Sequence, residues 1–548
     1  MPPRYPSGRV FYLVFWLTLN IFLFIIAISF LKNLPPFRRP QVQKRAFGLE
    51  TEYSALVRKI DRTFHLEECD IRNLLEVFRL AMPFAQDSSP VLKELLFYPP
   101  VECVSGFYLG TNGARFYVDN YSSFPFPEYA TPETRSIREA LIHGLAGDAI
   151  MEEFRKDIIR RKLFQKEPTA STFADIYFAR INTQFGDENA PASTGLHENY
   201  LTERRFYYYE EKNINPEFCE FLAPFLASRQ IFDGAGAVRN TPTGWKYLLS
   251  QRASFVDAKT NSGTMATQRG LVHFRPDKED APENKIRLHL HCGDTHMSPF
   301  GKYIAMGATH MVLRAFEERN RKPWPYTTGS NEESFIASYK LLSYDPTLKT
   351  PIFLKKNGST VQILPLELQR EYFEFVLRNV RYFSPEEAHI MNEWSRMTHL
   401  LSENPEDASE ELDWAIKQRF LLEHCGGDFS SPKAQFANFL YHDISERGIY
   451  NTLLRNNKVK RFATAEEIFL ARNNPPDTRA EFRSRFIKTI YPIPSVFTVS
   501  WSQFSGDGPL FIMSNPLERT NPHAESTLAY MRKRSTERGD MSAPPDYA

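Results

Sequence analysis

The chain has 548 residues, 42% of them hydrophobic, which is enough for a large buried core and suggests two or more domains. Its net charge of +1 gives no basis for nucleic acid as a partner. Its five cysteines lack the paired spacing of a zinc site or a disulfide framework, which favours a reducing compartment.

An uncharged apolar stretch, VFYLVFWLTLNIFLFIIAISFL, occupies residues 10–31. A helix that crosses a bilayer needs ~20 such residues, whereas the apolar region of a cleaved signal peptide usually has ~7–15. The length therefore favours one transmembrane helix over a signal peptide. More basic residues follow the stretch than precede it, so the positive-inside rule predicts a single-pass membrane protein with the body of the chain in the cytoplasm.

Two segments after the linker alternate polar and apolar residues, as half-buried strands do. The segment RAFGLETEYSALV predicts a first strand with Glu50 on its polar face. The segment NGARFYVD predicts another, with Arg115, Tyr117 and Asp119 on one face, and Glu128 follows soon after it. Each strand is expected to combine a polar working face with an apolar side that packs on the core.

A long helix and a third alternating strand follow. Apolar residues recur at helical spacing in TPETRSIREALIHGLAGDAIMEEFRKDIIRRKLF, and Thr131 with Pro132 predicts its start. In KIRLHLHCGD, the residues Arg287, His289 and His291 share one face. Three polar-faced strands predict an α+β fold with one catalytic sheet face and helices behind it.

The acidic residues on these strands indicate a bound cation. Carboxylates repel one another, so convergence of Glu50, Glu52 and Glu128 would require a metal or strongly raised pKa values. Magnesium is the natural candidate because it takes oxygen ligands and is often shared with nucleotide phosphates, whose charge Arg115 and Arg287 could balance. The sequence has no GxxxxGK[ST] loop, so ATP would have to bind on the sheet. The competing interpretation is a set of surface ion pairs on strand edges.

The second half of the chain is predicted to be mostly helical between residues 346 and 476, and the Pro475–Pro476 pair breaks that pattern. Two short strands then predict a small terminal domain. The predicted organisation is an N-terminal flank at 1–9, a transmembrane helix at 10–31, a linker at 32–44, a catalytic domain at 45–476, a small C-terminal domain at 477–534 and a disordered tail at 535–548.

Ten motifs in order resemble the Pup ligase and depupylase family, which comprises proteasome accessory factor A and its sister deamidase. They run from about residue 45 to 501: FGLETEY, NGARFYVD, PEYATPE, GLHENYL, SRQIFDGAGAV, SQRASF, RLHLHCGD, LDWAIKQRF, YHDISERGIY and NPPDTRAEFR. The resemblance implies a glutamine synthetase-like fold: a curved antiparallel β-sheet packed with helices, plus a small C-terminal domain. It also implies ATP and Mg²⁺ as cofactors of a carboxylate-amine ligase.

The same resemblance implies a metal site. Glu50, Tyr117 and Glu128 match the family's magnesium ligands, and His197 and His289 lie in motifs near the phosphates and are assigned to the same site. The alternative for each histidine is an ordinary hydrogen-bonded core residue. His291 is predicted to be structural.

The nucleotide and catalytic residues follow from matching motifs. Arg115, Thr131 and Trp501 match ATP contacts, Arg287 is assigned to the phosphates, and Asp119 matches the catalytic base. Trp501 could instead be only a buried anchor between domains.

The implied reaction joins a C-terminal glutamate side chain of a small Pup-like modifier to a lysine of a target protein. Three alternatives stay open: a depupylase that hydrolyses that bond, a non-catalytic nucleotide-binding adaptor at the membrane, and ligation of a small amine or peptide by the same route. The chain departs from the family pattern at Phe126, at Ser500 and in HFRPDKEDA, where the family has NTRDEPHAD. These departures leave the identity of the modifier open.

Overall fold

A computed structural model describes residues 45–60, 91, 96–97, 107–119, 126–166, 170, 173–183, 194–210, 213–261, 269–273, 281–319, 324–329, 331–490, 498–505, 510–520 and 522–538. They belong to one compact unit, Arg45–Ala548.

The prediction of a single-pass membrane protein with a cytoplasmic body is wrong. Within the described ranges, no helix is both long enough and apolar enough to cross a bilayer. Even the longest of these helices, Ile137–Arg160, carries charged residues along its length, whereas a span needs ~20 mostly apolar residues in succession. The apolar stretch at 10–31, from which the anchor and its orientation were predicted, lies outside the described residues, as does most of HFRPDKEDA.

The strands are numbered in chain order. They are β1 (Phe47–Glu52), β2 (Ser54–Lys59), β3 (Leu96–Phe97), β4 (Phe107–Gly110), β5 (Arg115–Asp119), β6 (Phe126–Ala130), β7 (Phe173–Ala179), β8 (Leu196–Glu203), β9 (Tyr208–Glu210), β10 (Asn213–Ile214), β11 (Ala237–Thr241), β12 (Gly244–Leu248), β13 (Ala258–Asn261), β14 (Gly270–His273), β15 (Lys285–Gly293), β16 (Tyr326–Thr327), β17 (Ile352–Lys356), β18 (Ser359–Ile363), β19 (Thr498–Val499), β20 (Gln503–Ser505) and β21 (Phe511–Ile512).

The helices are numbered in the same way. They are α1 (Ile137–Arg160), α2 (Leu163–Lys166), α3 (Arg204–Tyr207), α4 (Pro216–Ser228), α5 (Gln230–Asp233), α6 (Pro299–Glu318), α7 (Glu332–Ser343), α8 (Pro365–Asn379), α9 (Pro385–Glu403), α10 (Asp413–Cys425), α11 (Pro432–Leu440), α12 (Ile449–Arg455), α13 (Ala465–Asn473), α14 (Arg479–Ile490) and α15 (Pro522–Arg538). The mixture of helices with mostly antiparallel sheets confirms the predicted α+β class.

A seven-stranded antiparallel sheet carries the residues of interest, in the order β15-β8-β1-β6-β5-β4-β3. Strand β1 alternates buried and half-buried residues, so Phe47 and Leu49 point to one side and Glu50 to the other. Leu49 joins a large hydrophobic core that includes Ile137 and Leu141 of α1. Helix α1 therefore covers the apolar side of the sheet and leaves its polar side available for chemistry.

Helix α1 begins five residues later than Thr131 and Pro132 predicted. Ser136 is the N-cap, and its hydroxyl accepts a hydrogen bond from the backbone N–H of Glu139 at 3.2 Å. Thr131 is used elsewhere, because its hydroxyl accepts the N–H of Leu49 at 2.9 Å. That contact keeps residue 131 beside β1 and out of the helix.

Four charged side chains are buried together on the apolar side of the sheet. Arg229 donates to both carboxylate oxygens of Glu198 at 2.9 Å, and Lys302 donates to Glu198 at 3.0 Å and lies 2.5 Å from Asp233. Two acids and two bases balance, so the group carries no net charge. Burial raises the pKa of Asp233 to about 6, although Lys302 and Arg229 oppose that shift.

Replacing Arg229 by methionine is expected to lower the free energy of unfolding by about 3–5 kcal/mol, because it leaves buried negative charge without its partner. Urea unfolding followed by circular dichroism measures the change. The control is Arg378→Met, which removes an exposed pair with Glu374 at 3.8 Å and should cost less than ~1 kcal/mol. Equal losses of unfolding free energy in the two variants would contradict the assignment of Arg229 to a buried group of balanced charge.

Candidate active site

The polar face of the sheet brings together acidic, phenolic and imidazole side chains from five strands, β1, β5, β6, β8 and β15. Glu50 of β1 lies opposite His197 of β8, and Glu128 of β6 lies opposite both Glu52 of β1 and Tyr117 of β5. Residues opposite one another in neighbouring strands point to the same side of a sheet. The strand order therefore places groups that are up to about 150 residues apart in the chain on one surface.

Glu50 is the centre of this surface. Its Oε1 accepts hydrogen bonds from Arg287 Nη1 at 3.0 Å and from Asn199 Nδ2 at 3.2 Å. Its Oε2 lies 3.1 Å from His289 Nε2 and 3.4 Å from His197 Nδ1. Four side chains from β8 and β15 thus hold both oxygens of one carboxylate.

The protonation of this group follows from its surroundings. Burial alone would raise the pKa of Glu50, but interactions with His289, His197 and Arg287 bring it well below its usual value. Burial lowers the pKa of His289 to about 4, despite the attraction of Glu50. At neutral pH the imidazole of His289 is therefore neutral, and Arg287 supplies the positive charge beside an ionised Glu50.

Tyr117 and Glu128 form the second part of the surface. Burial, followed by the charge of Glu128, raises the pKa of Tyr117 well above its usual value, so the phenol stays protonated and hydrogen-bonds to Glu128. Ligand atoms of Glu50, Glu128 and His197 lie within 4.8 Å of one another. Two carboxylates at this separation repel each other, and with the phenol oxygen they form the hard donor set that Mg²⁺ prefers. These residues fit a magnesium ion.

The other end of the surface is closed by the C-terminal strands. Arg115 Cζ lies 4.6 Å from the centre of the Trp501 ring, and Arg483 Cζ lies 4.7 Å from it. Glu133 forms ion pairs with Arg483 and, at 2.7 Å, with Arg479. Burial alone would raise the pKa of Glu133, but these two arginines lower it to about 2. The ion pairs of Glu133 therefore tie helix α14 to the sheet and hold Arg483 beside the indole.

A pocket lies between Glu50 and Trp501. Thr131, Arg287 and Trp501, three of the predicted nucleotide contacts, line this pocket together with Glu50, one of the predicted metal ligands. The lining comprises residues 46–50, 130–131 and 199–201 together with Glu133, Ala281, Arg287, Arg479, Trp501 and Pro516.

Not every predicted residue lies where its assigned role would place it. Arg287 contacts Glu50 and the Asn199 Oδ1 at 3.0 Å, although it was assigned to the phosphates. Asp119 ends strand β5 opposite Phe126. Its side chain lies outside the part of the chain that the structure describes, so its role as a base stays a prediction.

Asn199, Glu133 and the two arginines that pair with Glu133, Arg479 and Arg483, were missed from the sequence. Asn199 stands two positions after His197 in HENY, and the period of two could have placed it on the same face. Glu133 had no comparable signal, because its partner Arg483 is 350 residues away.

Replacing Trp501 by leucine is expected to weaken ATP binding about tenfold, because it removes the aromatic surface on which Arg115 is stacked. Isothermal titration with ATP measures the change. Trp245→Leu, on the β11–β12 hairpin, is the control and should leave the affinity unchanged. Unaltered affinity in the Trp501 variant would restrict this side chain to an anchoring role.

The chain is similar to known proteins in sequence and in fold. The profile of the Pup-ligase protein family matches residues 45–505. A Pup–protein ligase of Geodermatophilus obscurus is 32% identical over 84% of this chain and 93% of its own length. One of Actinosynnema mirum is 29% identical over the same shares.

Solved structures show a similar fold. The ligase in the complex between the prokaryotic ubiquitin-like protein Pup and its ligase PafA superposes with a TM-score of 0.70, at 24% identity, over 92% of this chain and 96% of that one. The ligase PafA in complex with ADP superposes with a TM-score of 0.66, over 84% and 95% of the two chains. The further likeness to glutamine synthetase stays a prediction.

Proposed function

The chain belongs to the Pup-ligase protein family, and from this premise we propose that it is an ATP-dependent carboxylate-amine ligase that attaches a Pup-like modifier to lysines of target proteins. The observation that carries the proposal is the convergence of Glu50, Glu128 and Tyr117 on one sheet face, with Glu50 lining a pocket that Trp501 also lines. The relatives of similar length are named Pup–protein ligases, and the chain covers 93% of their length.

The proposed reaction has two steps. An oxygen of the modifier's C-terminal glutamate side chain attacks the terminal phosphorus of ATP, the bond to ADP breaks, and an acyl phosphate forms. The lysine nitrogen then attacks the acyl carbon and phosphate leaves, which gives an isopeptide bond. A lysine amine has a pKa of ~10.4 in water and must lose its proton before it attacks. We assign that proton transfer to Asp119.

The metal and nucleotide roles rest on the contacts described above. Glu50, Glu128 and the phenol of Tyr117 are the proposed ligands of Mg²⁺, which when bound offsets phosphate charge. His197 and His289 contact Glu50, so we assign them to holding that carboxylate at the metal site.

The nucleotide contacts are proposed for the opposite end of the cleft. Arg115 and Trp501 are expected to meet ATP there, and Thr131 lines the same pocket. Arg287 neutralises Glu50 and is near enough to the pocket to meet a phosphate.

Incubation of the purified chain with ATP, Mg²⁺, a lysine-bearing protein and a Pup protein that ends in glutamate tests the proposal. We expect a covalent conjugate and an equal amount of ADP. Mass spectrometry locates the isopeptide bond, and a modifier truncated by its last residue serves as the control.

Two other outcomes would overturn the ligase assignment. Release of modifier from a preformed conjugate, with no net ATP consumption, would identify a depupylase. Nucleotide binding with neither conjugation nor release would identify a non-catalytic adaptor.

A further inference from the structure

Three basic side chains lie around one aromatic ring outside the pocket between Glu50 and Trp501. Arg239 of β11 lies opposite Lys246 of β12, and the guanidinium carbon of Arg239 is 5.0 Å from the centre of the Phe255 ring. The guanidinium carbon of Arg269, which directly precedes β14, is 5.4 Å from the centre of the same ring. Arg239, Lys246, Phe255 and Arg269 are called the Phe255 cluster below.

The β11–β12 hairpin turns its basic face away from the core. Val238 and Tyr247, which lie on the opposite face of the hairpin, pack against helices α10 and α11. Lys246 is exposed, and Arg239 is half-buried against the ring. Residues directly opposite one another in a strand pair have β-carbons ~4.5–5.5 Å apart, and like charges at such positions are destabilising. A carboxylate bound at this face would offset the repulsion between the two side chains.

The aromatic ring orients the two arginines. A guanidinium against a ring is held by cation–π attraction, and its planar set of N–H donors matches the two oxygens of a carboxylate. The one-turn 3₁₀ helix Ala253–Phe255 fixes the backbone at the ring. Asp257 follows two positions later, and its carboxylate accepts the backbone N–H of Arg269 at 2.8 Å. With three bases and one acid, this group of side chains is complementary in charge to an acidic partner.

The cluster is continuous with the cleft at its His197 end. Phe255 lies one turn of 3₁₀ helix after Arg252. A β-carbon added at Gly195 would lie 3.1 Å from Arg252 Nη1 and 2.6 Å from His197 Nε2, so these two side chains approach the same point. His197 in turn lies 3.4 Å from the carboxylate of Glu50. A protein chain that leaves the metal site past His197 therefore reaches the Phe255 cluster next.

We propose that the Phe255 cluster binds an acidic segment of the modifier protein while the modifier's terminal glutamate occupies the metal site. This inference rests on the proposed function, because it places a second part of the same modifier beside the site that holds its last residue. The carboxylates of the segment pair with Lys246 and with the two stacked arginines. The cluster thereby selects the modifier by charge before the reaction begins.

Binding of a fluorescently labelled Pup protein that ends in glutamate tests the cluster without ATP. Fluorescence anisotropy gives the dissociation constant of its complex with the full chain and with each variant. Lys246→Glu reverses an exposed charge and should weaken binding about tenfold at low salt and less at high salt, since surface charges are screened. Arg239→Gln keeps a polar side chain against the ring and should weaken binding about threefold. In conjugation assays with Lys246→Glu, the KM for the modifier should rise while kcat stays within about twofold.

Lys488→Glu, on α14, is the matched control because it makes the same change in net charge. Its affinity for the Pup protein should stay within about twofold of that of the unmodified chain. A second control is a Pup protein in which every acidic residue except the terminal glutamate is changed to asparagine or glutamine. It should bind the unmodified chain more weakly, and Lys246→Glu should weaken its binding no further.

The outcomes separate this inference from the proposed function. Equal affinities in Lys246→Glu and Lys488→Glu, or conjugation by a chain whose affinity for the Pup protein is unchanged by Lys246→Glu and Arg239→Gln, overturn the role of the cluster and leave the ligase proposal intact. Absence of both binding and conjugation of the Pup protein by the unmodified chain overturns both proposals.

Discussion

Replacing Glu50 by glutamine is expected to lower the rate of ligation by at least about 10³-fold. The substitution keeps the size of the side chain but removes the charge that two imidazoles and Arg287 surround. Loss of a charged metal ligand costs several kcal/mol of transition-state stabilisation, and each ~1.4 kcal/mol is a factor of ten in rate. Single-turnover formation of ADP and of conjugate measures both steps.

Glu203→Gln is the matched control for this variant. Glu203 lies on β8 of the same sheet, but it forms an ion pair with Lys285, and neither residue lines the pocket. The ligation rate of the Glu203→Gln variant should stay within about twofold of that of the unmodified protein, as for most substitutions away from a functional site. If Glu50→Gln retained more than about a tenth of the activity, Glu50 could not be an essential ligand of the metal.

Replacing Asp119 by asparagine is expected to lower conjugation by about 10²–10⁴-fold while ATP binding is kept. Asparagine has nearly the same shape but cannot accept the lysine proton, and general bases contribute about this much to rate. In this variant the conjugation rate should therefore fall, whereas the ATP affinity measured by isothermal titration should stay unchanged.

The control is Asp407→Asn, an exposed aspartate of the turn at Pro405–Ala408, which should change neither quantity. Raising the pH offers a second comparison. Because fewer lysines are protonated as the pH approaches ~10.4, the deficit of the Asp119 variant should shrink on the alkaline side. Loss of nucleotide binding in Asp119→Asn would instead make this aspartate a metal ligand or a structural residue.

The alternation of side chains was readable from the sequence because it depends only on neighbouring residues. In a strand, every second residue points to the same side whatever the rest of the protein does. Glu50 with Glu52, Arg115 with Tyr117, and Arg287 with His289 could therefore be grouped by their spacing alone. The family motifs added the order of these segments and the expected chemistry, and the resemblance is confirmed.

The same local argument failed at the start of α1. A threonine followed by a proline is a good local signal for a helix start. The hydroxyl of Thr131 instead accepts the N–H of Leu49, 82 positions away, and Ser136 caps the helix. The hydrogen-bond partner of Thr131 belongs to another strand, β1, and no sequence pattern near residue 131 could indicate that contact.

Local patterns and family motifs were enough to predict the α+β class, the family and the residues that share each strand face. Which faces adjoin depends on the strand order: β1 lies between β6 and β8, so Glu50 meets His197 and Arg287, which are 147 and 237 positions away. The tertiary structure likewise brought Arg483 to Glu133 and Trp501 to Arg115. The physical reason is that periodicity is a property of the local backbone, whereas strand order and ion pairing result from packing of the whole chain.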